Sequence, residues 1–142
     1  IPSLSRNALD DLRNVRLEVE SLAAVWAARH ITDDELLKLD EECQRLEAAN
    51  AAGDVKSYLR ANHAFHFSIY RASRSGRLVA IIENLWLQIS PYFNLLRGTY
   101  GAANTQHQVM VDGLKARDET KVSTAIRADI EAAYQVLQAL VS

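Results

Sequence analysis

Apolar residues recur three and four positions apart along almost the whole chain, the pattern of helices that each bury one face. From about Ser5 to Arg29 the recurrence runs through Leu9, Leu12, Val15, Val19, Leu22 and Trp26. A second helix opens at "ITDDELLKL", where Thr32 can cap it and Glu35, three residues on, completes a capping box beside an acidic first turn. Its inward face reads as Leu36, Leu39, Cys43 and Leu46, and it stops near Gly53, a residue suited to the left-handed conformation that ends helices. Asp54 is placed to cap a third helix, from about Val55 to Ala72.

"SRSG" interrupts the pattern before a fourth helix, "RLVAIIENLWLQI", with Leu78, Ile81, Ile82, Leu85 and Ile89 inward and Pro91 kinking or ending it. "RGTYGAAN" reads as a loop or loosened turn ahead of a fifth helix through "TQHQVMVDGLKA". Asp118 caps a sixth, from about Glu119 to Leu140, with Val122, Ala125, Ile126, Ala133, Val136 and Leu140 in register. Five glycines and two prolines leave few places to punctuate strands. The expectation is one all-α domain over residues 1–142, an antiparallel bundle of about six helices.

Several polar residues interrupt these apolar stripes. On the third helix the face made by Tyr58, Phe65, Ile69 and Ala72 carries Asn62 near its centre and His66 toward one edge, while His63 falls well off it. His107 lines up with Met110, Val111 and Leu114. Asp129 stands among Ala125, Ile126, Ala132 and Ala133, where a buried carboxylate needs a cation, a donor or water. Each has a plain reading alone. An inward histidine is more often bonded to a core carbonyl than to a metal, and Asp129 could pair with Arg127 or Arg16. Arg16 with Glu20 could be a surface i, i+4 pair worth about 0.2–0.5 kcal/mol, or a guanidinium fork for a carboxylate beside a pocket. Taken together, Asn62, His66, His107 and Asp129 put an amide oxygen, two imidazoles and a carboxylate on the inward faces of three helices. That set suits Zn, Ni, Mn or Fe(II) and not a thiolate site.

Charge narrows the partners. Sixteen Lys and Arg against eighteen Asp and Glu give a net charge of -2, with the basic residues scattered, so the chain offers no nucleic-acid surface. Cys43 is the single cysteine, which excludes an intrachain disulfide and a zinc-thiolate module and points to a reducing, cytoplasmic setting. No apolar block is long enough for a membrane span or signal peptide. Beginning at "IPSLSR" without methionine, the sequence reads as a fragment or a trimmed piece, from which another domain is then expected to be missing.

The chain resembles the ligand-binding C-terminal domain of FadR-type GntR-family bacterial transcription regulators, the FCD domain, from about Leu9 to Leu140. The likeness rests on "VRLEVESLAAVWAARHITDDEL", "AGDVKSYLRANHAFHFSIYRAS", "TQHQVMVDGLKARD" and "AIRADIEAA". The family pattern has an Asp or Asn four residues before the His of a Phe-His pair, then an isolated His, then another His one helix later; Asn62, Phe65 with His66, His107 and Asp129 hold those places. Two departures matter: Asn62 stands where Asp is common, and Asp129 stands where the last His is expected. One carboxylate is kept but moved to another helix, which implies a metal site weaker or differently selective than usual.

The resemblance implies an effector-sensing and dimerisation domain. A small organic acid would bind beside the metal with Arg16 holding its carboxylate, and Gln88, Tyr92 and Arg97, around the Pro91 break, are assigned to the pocket from position. Operator DNA would be contacted by an N-terminal winged helix-turn-helix outside this sequence, within a homodimer. No enzyme activity is expected: there is no HExxH and no Glu three residues before any His, which counts against a helical-bundle metalloenzyme. A metal-free oligomerisation module is the other alternative.

Overall fold

The computed structural model describes residues 5–93 and 100–141, with side chains from residue 105 onward in the second stretch. The described residues form six helices and no strand: α1 (Arg6–His30), α2 (Asp33–Ala52), α3 (Val55–Arg71), α4 (Gly76–Ile89), α5 (Tyr100–Lys115) and α6 (Glu119–Leu140). Local chemistry sets most of the ends. The Ser5 hydroxyl accepts from the Ala8 N–H at the start of α1. At α2, Thr32 Oγ1 accepts from the Glu35 N–H at 3.2 Å and the Glu35 carboxylate accepts from the Thr32 N–H at 3.0 Å, closing the capping box. Gly53 ends α2 at φ 66°, a conformation that disfavours any side chain. Asp54, Ser75 and Asp118 cap α3, α4 and α6.

Residues 100–104, expected in a loop, belong to α5. One glycine near a helix start costs about 1 kcal/mol, too little to stop a helix anchored downstream by buried Met110, Val111 and Leu114.

α1 runs against α6, α6 against α5, and α2 against α3, while α4 packs on α1 and α3. The expected stripe of α1 holds at Leu9 and Leu12, which are buried, and fails further along the helix. Val15 and Leu22 are 39% and 41% exposed, whereas Arg16, Glu20, Ala23, Ala24, Ala27 and Ala28 are buried. Small side chains on this face let the neighbouring helices approach closely. Two other stripes hold in the main, with Leu78, Ile82 and Ile89 buried on α4 and Val122, Ala125 and Ile126 on α6, and are corrected at single positions. In α4, Ile81 is 50% exposed and Val79 and Trp86 face the core. In α6, Leu140 is exposed at the helix end, and Ile130 and Leu137 are buried instead. Recurrence at three and four residues fits two adjacent faces of a helix about equally, and the packing partners choose between them. Among the described residues no helix is long and apolar enough to cross a membrane.

Candidate metal and effector site

The imidazoles of His66 on α3 and His107 on α5 meet the carboxylate of Asp129 on α6 inside the bundle. His66 Nε2 lies 3.1 Å from His107 Nε2 and 3.3 Å from Asp129 Oδ2, and His107 Nε2 is 3.7 Å from Asp129 Oδ1. The three potential ligand atoms all fall within 4.8 Å of one another. Both histidines are buried, and the Asp129 side chain is 14% exposed. Phe65 packs against both rings and Trp86 against His66, so an apolar wall surrounds the polar cluster.

Electrostatics in this cluster favour a cation. Burial, with help from His66, pushes the His107 imidazole down to about 4 despite the attraction of Asp129. His107 is therefore neutral at pH 7 and brings one proton. For Asp129, burial opposes ionisation, but the neighbouring His66 and His107 imidazoles and the Arg16 guanidinium outweigh it and hold the carboxyl below its ordinary range. A carboxylate and two imidazole nitrogens thus converge inside the bundle. Two nitrogens and an oxygen at this separation fit a borderline divalent metal, which takes neutral imidazole and ionised carboxylate as ligands.

A second buried polar group adjoins the first. Arg16 Nε donates to Glu20 Oε2 at 2.6 Å, and the Tyr70 hydroxyl donates to Glu20 Oε1 at 2.6 Å. The Tyr70 oxygen lies 3.1 Å from His66 Nδ1, which joins this group to the cluster. Arg16 is 7% exposed and Glu20 is fully buried, so the reading of the two as a surface pair is wrong. The Arg16 guanidinium also sits 5.5 Å from the Trp86 ring centroid, a cation–π distance. The Trp86 indole N–H is buried without an acceptor among the described residues. Beyond Arg16, a crevice between α1, α4 and α6, lined by Leu9, Arg13, Ile89, Ile130 and Tyr134, has about 10 Å³ of room. That admits about one water and no organic acid.

The FCD domain family matches residues 11–132. The chain belongs to the FCD family. It is 27% identical over 124 residues to the HTH-type transcriptional regulator McbR of Escherichia coli (strain K12), which spans 84% of this chain and 56% of McbR. The chain thus covers about half the length of that relative. A solved structure of E. coli McbR/YncC superimposes with a TM-score of 0.82 at 25% identity, covering 95% of this chain and 72% of that one.

Within this FCD domain the other residues named from sequence are placed unevenly. Asn62 is half-buried one turn before His66, and of the two it is His66 that is buried. Gln88 is exposed and donates to Asn84, Tyr92 is half-buried, and Arg97 lies outside the described residues. Arg127 pairs with Glu18 at 3.4 Å. His63 is exposed and stacks on Phe67, and His30 ends α1 at the surface. Sequence reasoning missed Glu20 and Tyr70 as members of the site. Both signals were present: Glu20 lies four residues after Arg16 and three and four before buried alanines, and Tyr70 lies four after His66.

The depressed His107 pKa makes FCD stability pH-dependent. Unfolded, the imidazole takes up a proton below 6.5; folded, it refuses one until about 4. Stability is therefore greatest above 6.5 and falls as pH drops from 6.5 toward 4, by about 3 kcal/mol. Urea unfolding at stepped pH with chelator present checks this, and His107→Gln should flatten the profile in that window.

Proposed function

We propose that this FCD domain is the effector-sensing and dimerisation part of a cytoplasmic bacterial transcription regulator, with a divalent metal held by His66, His107 and Asp129 and a small organic acid as effector. The observation that carries the proposal is the convergence of those three side chains, from three helices, beside a buried arginine. The metal would supply a positive centre for the acid's carboxylate. Arg16 uses Nε on Glu20, which leaves its terminal nitrogens as a fork for the same carboxylate. The Trp86 indole N–H, without an acceptor among the described residues, is a further donor for the acid. Since the crevice that Arg16 helps to line is too narrow, the acid would lie toward Trp86, near whose ring the guanidinium sits, and His66.

Operator contact belongs to a DNA-binding domain outside this chain, in keeping with the scattered charge and with McbR being an HTH-type regulator. The apolar side chains of Val15 and Leu22 on α1 and Ile81 on α4 are exposed and available to a second copy. Effector binding would act by favouring one dimer arrangement over another, since an acid that bound both equally would transmit nothing. A thermal-shift screen of chelator-stripped protein with Zn²⁺, Ni²⁺ and Mn²⁺, each with and without a panel of small carboxylic acids, tests the reading. The melting temperature should rise with metal and rise again with acid only when metal is present. No shift with any combination would sink it.

A further inference from the structure

Metal-ligating histidines usually donate their second ring N–H to a fixed partner, which sets the tautomer and the ring orientation. The two histidines of this cluster differ sharply in that respect. His66 Nδ1 lies 3.1 Å from the Tyr70 hydroxyl, whereas His107 Nδ1 is buried with no partner among the described residues.

The proton count around Tyr70 is constrained. A phenol has one proton to give, and an ionised carboxylate can only accept. The 2.6 Å contact to Glu20 Oε1 uses the Tyr70 proton, and Glu20 is itself held by Arg16 at 2.6 Å through its other oxygen. The Tyr70 oxygen is then left as an acceptor, and the group facing it, His66 Nδ1, must supply the hydrogen. With Nδ1 protonated, Nε2 is the ring atom left to face the cation, and it is Nε2 that lies against His107 and Asp129. Arg16, Glu20, Tyr70 and His66 are all buried, so water does not compete for these positions.

We propose that Tyr70, oriented by Glu20 and Arg16, is a positioning residue that keeps the proton of His66 on Nδ1 and aims Nε2 at the metal. The proposal rests on the reading of His66, His107 and Asp129 as metal ligands. It makes His66 the pre-oriented ligand and His107 the adjustable one. Tyr70 touches neither metal nor effector; it acts through His66.

The test combines Zn²⁺ affinity, measured by chelator competition, with long-range ¹H–¹⁵N NMR of the histidine rings. Zn²⁺-loaded wild-type protein should show His66 with a slowly exchanging Nδ1 proton and Nε2 as the metal-bound nitrogen. Tyr70→Phe should lose the slow exchange and bind Zn²⁺ about 10–100-fold more weakly. Tyr70→Phe that binds Zn²⁺ as tightly as wild type overturns the positioning role alone. Wild-type protein whose His66 binds Zn²⁺ through Nδ1 also overturns it, whether or not any variant folds. Wild-type protein that binds no Zn²⁺ overturns the metal reading and the positioning role with it.

Discussion

Asp129→Ala should lower Zn²⁺ affinity by well over the 10–100-fold that typically follows loss of an outer-shell partner, because it removes the only carboxylate that the described residues bring into the cluster. The two imidazoles that remain are neutral ligands, and no counter-charge is left for a divalent ion. The fold should survive, since the side chain is partly exposed and its oxygens face the two histidines. In the same background Asn62→Asp should restore part of the lost affinity. It returns a carboxylate to α3, one turn before His66, in the arrangement that the family pattern has there. Zn²⁺ competition assays on the wild type, Asp129→Ala, Asn62→Asp and the double variant form a cycle that reads the coupling between positions 62 and 129. No restoration in the double variant would place Asn62 outside the coordination shell, and unchanged affinity in Asp129→Ala would remove Asp129 as a ligand.

What could be read from sequence follows from how local its cause is. The capping box at Thr32 and Glu35, the left-handed Gly53 and the Asp118 cap depend on residues within a turn of one another, and the helix ends they set match expectation. The alignment of His107 with Met110, Val111 and Leu114 likewise placed that imidazole in the interior. The inward face of α1 was legible from its bulky residues only at Leu9 and Leu12; further along, α6 and α4 pack on the alanine side and leave Val15 and Leu22 exposed. The spacing of Glu20 from Arg16 and from Ala23 and Ala24 hinted at burial but fitted a surface i, i+4 pair equally well. The burial of Arg16 and Glu20 is resolved by a partner 50 residues away, Tyr70, and no periodicity argument reaches that far. The order of Asn62 and His66 on the α3 face was reversed for a related reason: the longer imidazole reaches across to two other helices while the amide stays half-buried.

Glu20→Ala should be the most destabilising single change in the site, at about 3–5 kcal/mol, because it leaves a buried guanidinium without its counter-ion. Arg16 is kept charged in the interior by Glu20: desolvation works against the charge, and the Coulombic attraction and hydrogen bond from Glu20 more than offset it. The Tyr70 hydroxyl would also lose its acceptor, and burial, the largest cause holding that phenol well above its ordinary range, persists in the variant, so it would not ionise to compensate. Removing both charges is the informative control. Arg16→Leu with Glu20→Leu replaces the pair by apolar groups of similar length, and the deficit should shrink to the about 1–3 kcal/mol that an unsatisfied Tyr70 hydroxyl costs. Urea unfolding in chelator keeps metal linkage out of the comparison. If Glu20→Ala lies within about 1 kcal/mol of wild type, surface-pair values apply, and Arg16 must reach water or another acceptor in the folded state. In that case the guanidinium would not be a fixed fork, and the acid would have to be held by the metal and Trp86 alone.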